Sequence, residues 1–144
     1  MNKKMVIIRT LETLLQLLIV PCCIIGDWAS TYQGSYGIEY RKDNFLDAAV
    51  LFDSDFLATI IVAMLAVTII ILIWTRAARF AFIPAMLQLV IFVKTLVDYF
   101  RLSSDNKGHV LTFGYIHTAM VVCALILCVW VAIEAKHQAK NNPE

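Results

Sequence analysis

Long apolar stretches alternate with short polar ones along the chain. A bilayer core about 30 Å thick is crossed by roughly 20 helical residues. Four stretches reach that length: residues 5–25, 56–74, 80–100 and 110–133. Each is predicted to be a helix, because lipid offers backbone groups no hydrogen-bonding partner. The pattern therefore predicts an all-α membrane protein, a single four-transmembrane-helix bundle over residues 1–144.

The composition supports this prediction. Hydrophobic residues make up 60% of the chain and charged residues only 16%, against about 25% charged residues in soluble domains. The formal net charge is +1, so no basic excess favours nucleic-acid binding. The expected partners are the lipid bilayer and other membrane proteins, with a homo-oligomer as one option, in the plasma membrane or an endomembrane.

The charges outside the spans predict the orientation of the bundle. Basic residues lie at 3–9, 76–79 and 136–140, whereas residues 26–55 are mainly acidic. Basic loops stay on the cytoplasmic side of a membrane. Both termini are therefore expected to be cytoplasmic, including a tail over residues 134–144. The acidic segment becomes a long first extracellular loop that also carries aromatic residues.

The aromatic residues of this loop alternate with small or polar ones. Trp28, Tyr32, Tyr36 and Tyr40 lie on one side of a period of two, which is typical of a strand. They are also four residues apart, as on a helix, but two intervening glycines disfavour that interpretation. We expect a hairpin turning near residues 33–35. Its rings either form a membrane-interface belt or present a partner-binding surface.

Three polar residues share one face of the first span: Arg9, Glu12 and Gln16. A charge at the centre of a bilayer costs about 2.5–3.5 kcal/mol, so such groups face protein or water. In one interpretation Arg9 pairs with Glu12 and both support helix association. In the other, Glu12 is a proton or cation site.

A second polar set combines Lys94 and Asp98 of the third span with His117 of the fourth. Counting 1.5 Å per residue places Lys94 and His117 at a similar depth, and Lys94 is expected to pair with Asp98 one turn away. The set is either a buried pair that fixes helix register or a proton relay or ligand pocket. Haem binding would require a second histidine at the depth of His117, so no cofactor is expected.

No sequence motif specifies a reaction, and we expect no enzyme activity and no metal site. The acidic pair Asp53 and Asp55 supplies too few oxygen ligands for a divalent cation. Four cysteines are present, without a C-x-x-C motif and without a cysteine in residues 26–55. A membrane redox subunit would need a cysteine pair there, so it is kept only as a third alternative.

The segment from Arg9 to Ile19, which reads RTLETLLQLLI, resembles the first helix of MARVEL-type tetraspans. In that family a basic residue and a Leu-Glu pair lead into an apolar run. The chain length, the predicted inside termini and the acidic aromatic loop also resemble Snakeskin-like small four-transmembrane proteins of septate junctions. The sequence departs from claudins, since the outer loop has no W-x-x-W-C-C pattern.

This resemblance implies lateral assembly with other membrane proteins, vesicle trafficking or cell-junction formation. The function expected from the sequence is therefore protein–protein association through the helices and the Trp28–Tyr40 loop. The alternative is a small transporter or an ion or proton channel subunit. It would use Glu12, or the set of Lys94, Asp98 and His117.

Overall fold

The computed structural model describes residues 3–32, 40–49, 55–104 and 108–141. This part of the chain is mostly helical. The helices are α1 (Lys3–Ile25), α2 (Phe45–Ala48), α3 (Asp55–Trp74), α4 (Phe82–Ser104) and α5 (Thr112–Asn141). The strands are β1 (Ala29–Tyr32), β2 (Tyr40–Asp43) and β3 (Gly108–Val110). Four of the helices are long and apolar enough to cross a membrane, which confirms the predicted number of spans.

The four long helices form a ring-shaped bundle. Helix α1 packs against α3 and α5, and α4 packs against the same two helices. A 3₁₀ turn, Ala78–Phe80, precedes α4. Helix α4 begins at Phe82, two residues later than predicted, so Pro84 lies in the first turn. A proline is tolerated there because the first-turn amides have no partner within the helix.

Helix α5 differs most from its predicted span. It starts at Thr112 instead of residue 110, and it continues to Asn141, well beyond the predicted end at residue 133. The segment predicted as a tail is therefore helical over much of its length. Thirty residues correspond to about 45 Å of helix, more than the roughly 30 Å of a bilayer core.

A three-stranded antiparallel sheet lies at one end of the bundle, in the order β2-β1-β3. Strands β1 and β2 pair from Ala29 opposite Asp43 to Tyr32 opposite Tyr40. Strand β1 lies within the hairpin predicted over residues 28–40, whereas β2 shares only Tyr40 with it and continues to Asp43. The predicted turn at residues 33–35 lies outside the described residues. Strand β3 comes from the segment between α4 and α5 and pairs with β1. The all-α prediction is wrong to this extent, because it contained no third strand.

Helix α2 is a single turn that connects the sheet to α3. The Asn44 side chain caps it by accepting a hydrogen bond from the Asp47 amide at 3.0 Å, and it also donates to the Ile24 carbonyl of α1 at 3.2 Å. Phe45 and Ala48 are buried. Helix α2 is therefore packed into the bundle.

Two apolar clusters fill the bundle. The cluster nearer the sheet contains Ile19, Trp28, Phe45 and Phe92 among others. The cluster at the opposite end is formed by side chains of all four long helices and the 3₁₀ turn: Met5, Ile69, Ile73, Ala78, Ala81, Ala85, Cys128 and Val131. The small side chains of Ala81 and Ala85 are buried there, as expected for close helix packing.

The outer surface of the bundle is apolar, while its interior holds polar groups. Leu14, Leu17, Ile60 and Val67 are each more than half exposed. Glu12, Gln16 and Gln88, in contrast, have no exposed surface. This distribution is the reverse of that in water-soluble proteins and matches a lipid environment, where polar side chains turn towards the bundle interior.

Candidate functional site

A buried polar layer separates the two apolar clusters. Glu12 and Gln16 enter it from α1 and Gln88 from α4, and each is fully buried. On α1 these positions lie between Met5 of one cluster and Ile19 of the other. Burial of Glu12 and Gln16 confirms that the polar face of the first span points into the protein. Arg9, one turn before Glu12, is 9% exposed.

Hydrogen bonds connect this layer across three helices. Gln16 Nε2 donates to Glu12 Oε1 at 2.7 Å. Gln88 Nε2 donates to Gln16 Oε1 at 3.1 Å, which links α4 to α1. The thiol of Cys128 on α5 donates to Glu12 Oε1 at 3.4 Å. The contacts of the Glu12 carboxyl group therefore reach another helix and are not limited to α1.

Two acceptor atoms of the layer receive no hydrogen bond from the described residues: Glu12 Oε2 and Gln88 Oε1. An unpaired buried polar atom typically costs about 1–3 kcal/mol. The layer is thus only partly satisfied by the described chain. Buried polar and ionisable side chains of this kind within a membrane bundle often bind a transported proton or ion.

Gln88 and Cys128 were not among the sequence-predicted site residues. Gln88 is the only amide within the apolar run of the third span, and a lone amide in such a helix favours an interhelical hydrogen bond. The lone amide was therefore a sufficient signal in the sequence to assign Gln88 to an interhelical hydrogen bond. Cys128 carries no comparable signal, since a thiol packs equally well in an apolar core.

The second predicted polar set is not brought together. Lys94 Nζ lies 2.6 Å from Asp98 Oδ2, which confirms their expected pairing, but the two side chains are 47% and 44% exposed. His117 has no exposed surface. Lys94 and Asp98 therefore lie on the outer surface of α4, while His117 faces the interior. No relay or pocket combining the three residues is present.

His117 is part of an aromatic cluster below the sheet. Its ring makes an edge contact with Phe92 at 4.8 Å between centroids and with Phe45 at 5.8 Å. Its Nε2 lies 2.9 Å from the carbonyl oxygen of Ile19. Since a carbonyl only accepts, Nε2 is the protonated nitrogen. These contacts fix α5 against α1 and α4, which is a structural role.

Trp28 anchors the sheet to the same cluster. Its side chain is fully buried and makes edge contacts with Phe45 at 5.4 Å and Tyr99 at 6.0 Å. Its backbone amide donates to the Asp43 carbonyl, and its carbonyl accepts from the Leu111 amide. Trp28 was expected on a partner-binding surface or in an interface belt. It is instead a core residue and offers no surface to a partner.

The other three predicted loop residues have different positions. Tyr32 and Tyr40 are opposite each other at the end of the β1–β2 pair. Tyr36 lies outside the described residues.

Gly114 of α5 allows the sheet to approach the bundle closely. A β-carbon added to Gly114 would lie 2.5 Å from the Trp28 carbonyl oxygen and 2.7 Å from Val110 Cγ1. Gly114 and Thr118 are small residues four positions apart on α5, a spacing that often mediates helix–helix contact. The neighbours of Gly114 show that its small size serves contact with Trp28 and β3 instead.

These features define the class of the protein. It is a multi-pass membrane protein with four helices of membrane-spanning length, a partly satisfied polar layer, and a sheet anchored at one end. Comparison of the chain with models of protein families, with curated proteins and with solved structures found no match.

Proposed function

We propose that this chain is a non-enzymatic tetraspan that acts by associating with other membrane proteins, in membrane organisation, trafficking or cell-junction assembly. The observation that carries this proposal is the anchored sheet. Trp28, Asp43 and Phe45 fix the ends of β1 and β2 that lie against the helices, so these two strands are held in one place. Preorganisation of this kind lowers the entropic cost of binding a partner.

The polar layer and the resemblance to MARVEL-type tetraspans support the same proposal. Bundles joined by interhelical hydrogen bonds are stable platforms. Residues 9–19, which carry the resemblance, include four of the buried positions of α1: Arg9, Glu12, Gln16 and Ile19. In the proposed orientation both termini are cytoplasmic and the sheet is extracellular. Epitope tags at the two termini should then react with antibody only after the cells are permeabilised.

Partner capture tests whether the loop from Trp28 to Tyr40 binds a partner. The double variant Tyr32→Ser/Tyr36→Ser removes two rings while leaving the backbone pairing of β1 available. Tyr115→Ser is the matched control, since Tyr115 is 47% exposed and lies on α5 outside the hairpin. If each ring contributes about 1 kcal/mol, the loss of both weakens binding of the partner roughly 30-fold, which lowers the yield of the co-purifying partner. Equal yields from the wild type and both variants would contradict the proposal.

A second candidate function is proton or cation transport through Glu12. The observation that favours it is the fully buried Glu12 carboxyl group, whose Oε2 receives no hydrogen bond from the described residues. In proteoliposomes with a pH-sensitive dye inside, this function requires flux by the wild type that is lost in Glu12→Gln. Asp98→Asn is the control, because it changes an exposed carboxyl group. Wild-type protein that carries no flux excludes this function.

A further inference from the structure

An apolar groove of about 820 Å³ lies between the start of α4 and the last turns of α5. Its volume is within the range of about 300–1,000 Å³ that is typical of small-molecule sites. The walls include Phe80, Ile83, Val129 and Ile133, each between 40% and 51% exposed. The groove is therefore open along the side of the bundle, where lipid chains lie in a membrane.

Two basic side chains, Arg79 and Lys136, complete the lining of the groove. Arg79 precedes the first residue of α4, and Lys136 lies one turn beyond Ile133 towards the end of α5. Both are therefore at the end of the groove away from the sheet, near the membrane surface. Neither forms an ion pair with the residues that the structure describes. The Arg79 guanidinium lies 4.7 Å from the centroid of the Phe80 ring.

This arrangement has the polarity of an amphiphile. Apolar walls run along the bundle, and two positive charges close one end at the level expected for a lipid headgroup. Basic pockets between membrane helices bind anionic headgroups on this principle. From this geometry we infer that the groove binds an anionic phospholipid, with an acyl chain against Val129 and Ile133 and the phosphate between Arg79 and Lys136.

A second groove on α5 provides an internal comparison. It measures about 420 Å³ and is lined by Lys4, Ile8, Trp130 and Glu134, among others. Its basic and acidic side chains offset each other, so it lacks the positive end that would select an anionic headgroup. The preference for anionic lipid is therefore assigned to the Arg79–Lys136 groove and not to this second groove.

Native mass spectrometry of the full chain, purified in detergent, tests this assignment. Phosphatidylglycerol and phosphatidylcholine with identical acyl chains are the probes. One phosphatidylglycerol molecule is expected to remain bound in preference to phosphatidylcholine. The variant Arg79→Gln/Lys136→Gln should weaken phosphatidylglycerol binding about 30-fold, since each basic charge near an anionic headgroup contributes about 1 kcal/mol, and should leave phosphatidylcholine binding unchanged.

Two further variants separate the groove from general surface charge. Lys3→Gln/Arg76→Gln removes two exposed basic residues outside the groove, and we expect it to change phosphatidylglycerol binding by less than about twofold. Ile133→Trp keeps both groove charges but fills the apolar channel, so it should displace the lipid. Because Ile133 is 51% exposed, we expect the fold to tolerate this substitution, and circular dichroism and gel filtration of the variant check that it does.

A water-soluble fragment distinguishes lipid from free phosphate. Glycerol phosphate lacks acyl chains, so it should fail to displace phosphatidylglycerol even at millimolar concentration. Displacement by this fragment would assign the site to soluble phosphate and overturn the proposal. Equal retention of the two lipids would overturn it too, as would an effect of the control pair equal to that of the groove pair. Unaltered lipid binding in Ile133→Trp would exclude the groove as the site.

Discussion

Replacing Trp28 by alanine is expected to detach the sheet from the bundle while the four long helices remain folded. Trp28 is fully buried and contacts Phe45 and Tyr99 edge-on. Truncation of a buried Trp or Phe to Ala costs about 3–5 kcal/mol. Trp28→Phe keeps a ring and should cost about 1–2 kcal/mol, comparable to the aromatic contacts that it weakens. The indole Nε1 donates to no described residue, so no hydrogen bond contributes to either loss.

The free energy of unfolding is measured by titration with SDS in mixed micelles, and the detachment by hydrogen exchange of the β1 and β2 amides. Trp130→Ala is the matched control, because Trp130 is 52% exposed on α5 and its loss should change stability by less than about 0.5 kcal/mol. The reasoning fails if Trp28→Ala costs no more than Trp130→Ala. It also fails if the β1 amides remain fully protected in Trp28→Ala.

Three smaller perturbations follow from contacts in and around the sheet and the polar layer. Gly114→Ala forces its β-carbon against the Trp28 carbonyl oxygen and should destabilise the protein by about 1–3 kcal/mol, seen as a lower thermal midpoint. Gln88→Leu removes the donor to Gln16 and should cost about 1–2 kcal/mol in the SDS titration. Asn44→Ala removes the cap of α2 and should cost about 1 kcal/mol, with faster amide exchange at Asp47.

For each of these three substitutions, one experimental result would contradict the prediction. For Gly114→Ala it is an unchanged or higher thermal midpoint, which would mean that β1 and α5 separate freely. For Gln88→Leu, a gain in stability would indicate that an apolar layer packs better than the amide pair, as replacement of buried polar groups sometimes shows. For Asn44→Ala, exchange at Asp47 equal to the wild type would show that α2 needs no cap.

Much of the helix bundle was predictable because its signal is local. A run such as Phe56 to Trp74 specifies a spanning helix by length and hydropathy alone. A period of two predicted β1, whereas β2 begins only at Tyr40, the last residue of that pattern. Strand β3 was missed because three residues, Gly108–Val110, carry no periodicity of their own. Their pairing with β1 depends on a partner nearly 80 positions earlier in the chain.

Side-chain roles were predicted less well than helices, for a physical reason. Depth follows from counting residues, but the direction of a side chain depends on how neighbouring helices rotate. Lys94 and His117 were assigned to one set by depth. The rotation of the helices about their axes instead places Lys94 on the exposed face of α4 and His117, on α5, in the bundle interior. Trp28 shows the same limit, since an aromatic residue after a span fits an interface belt, a partner surface or a core equally well.

The central position of β1 has a consequence for biosynthesis. The ribosome delivers β1 and β2 early, whereas β3 emerges only after α4 has been made. Until then one edge of β1 has unpaired amides and carbonyls, which is a template for wrong pairing. Closure of the sheet thus requires that α1, α3 and α4 have been made, and pulsed hydrogen exchange on nascent chains should find β1 fully protected only after β3 has emerged.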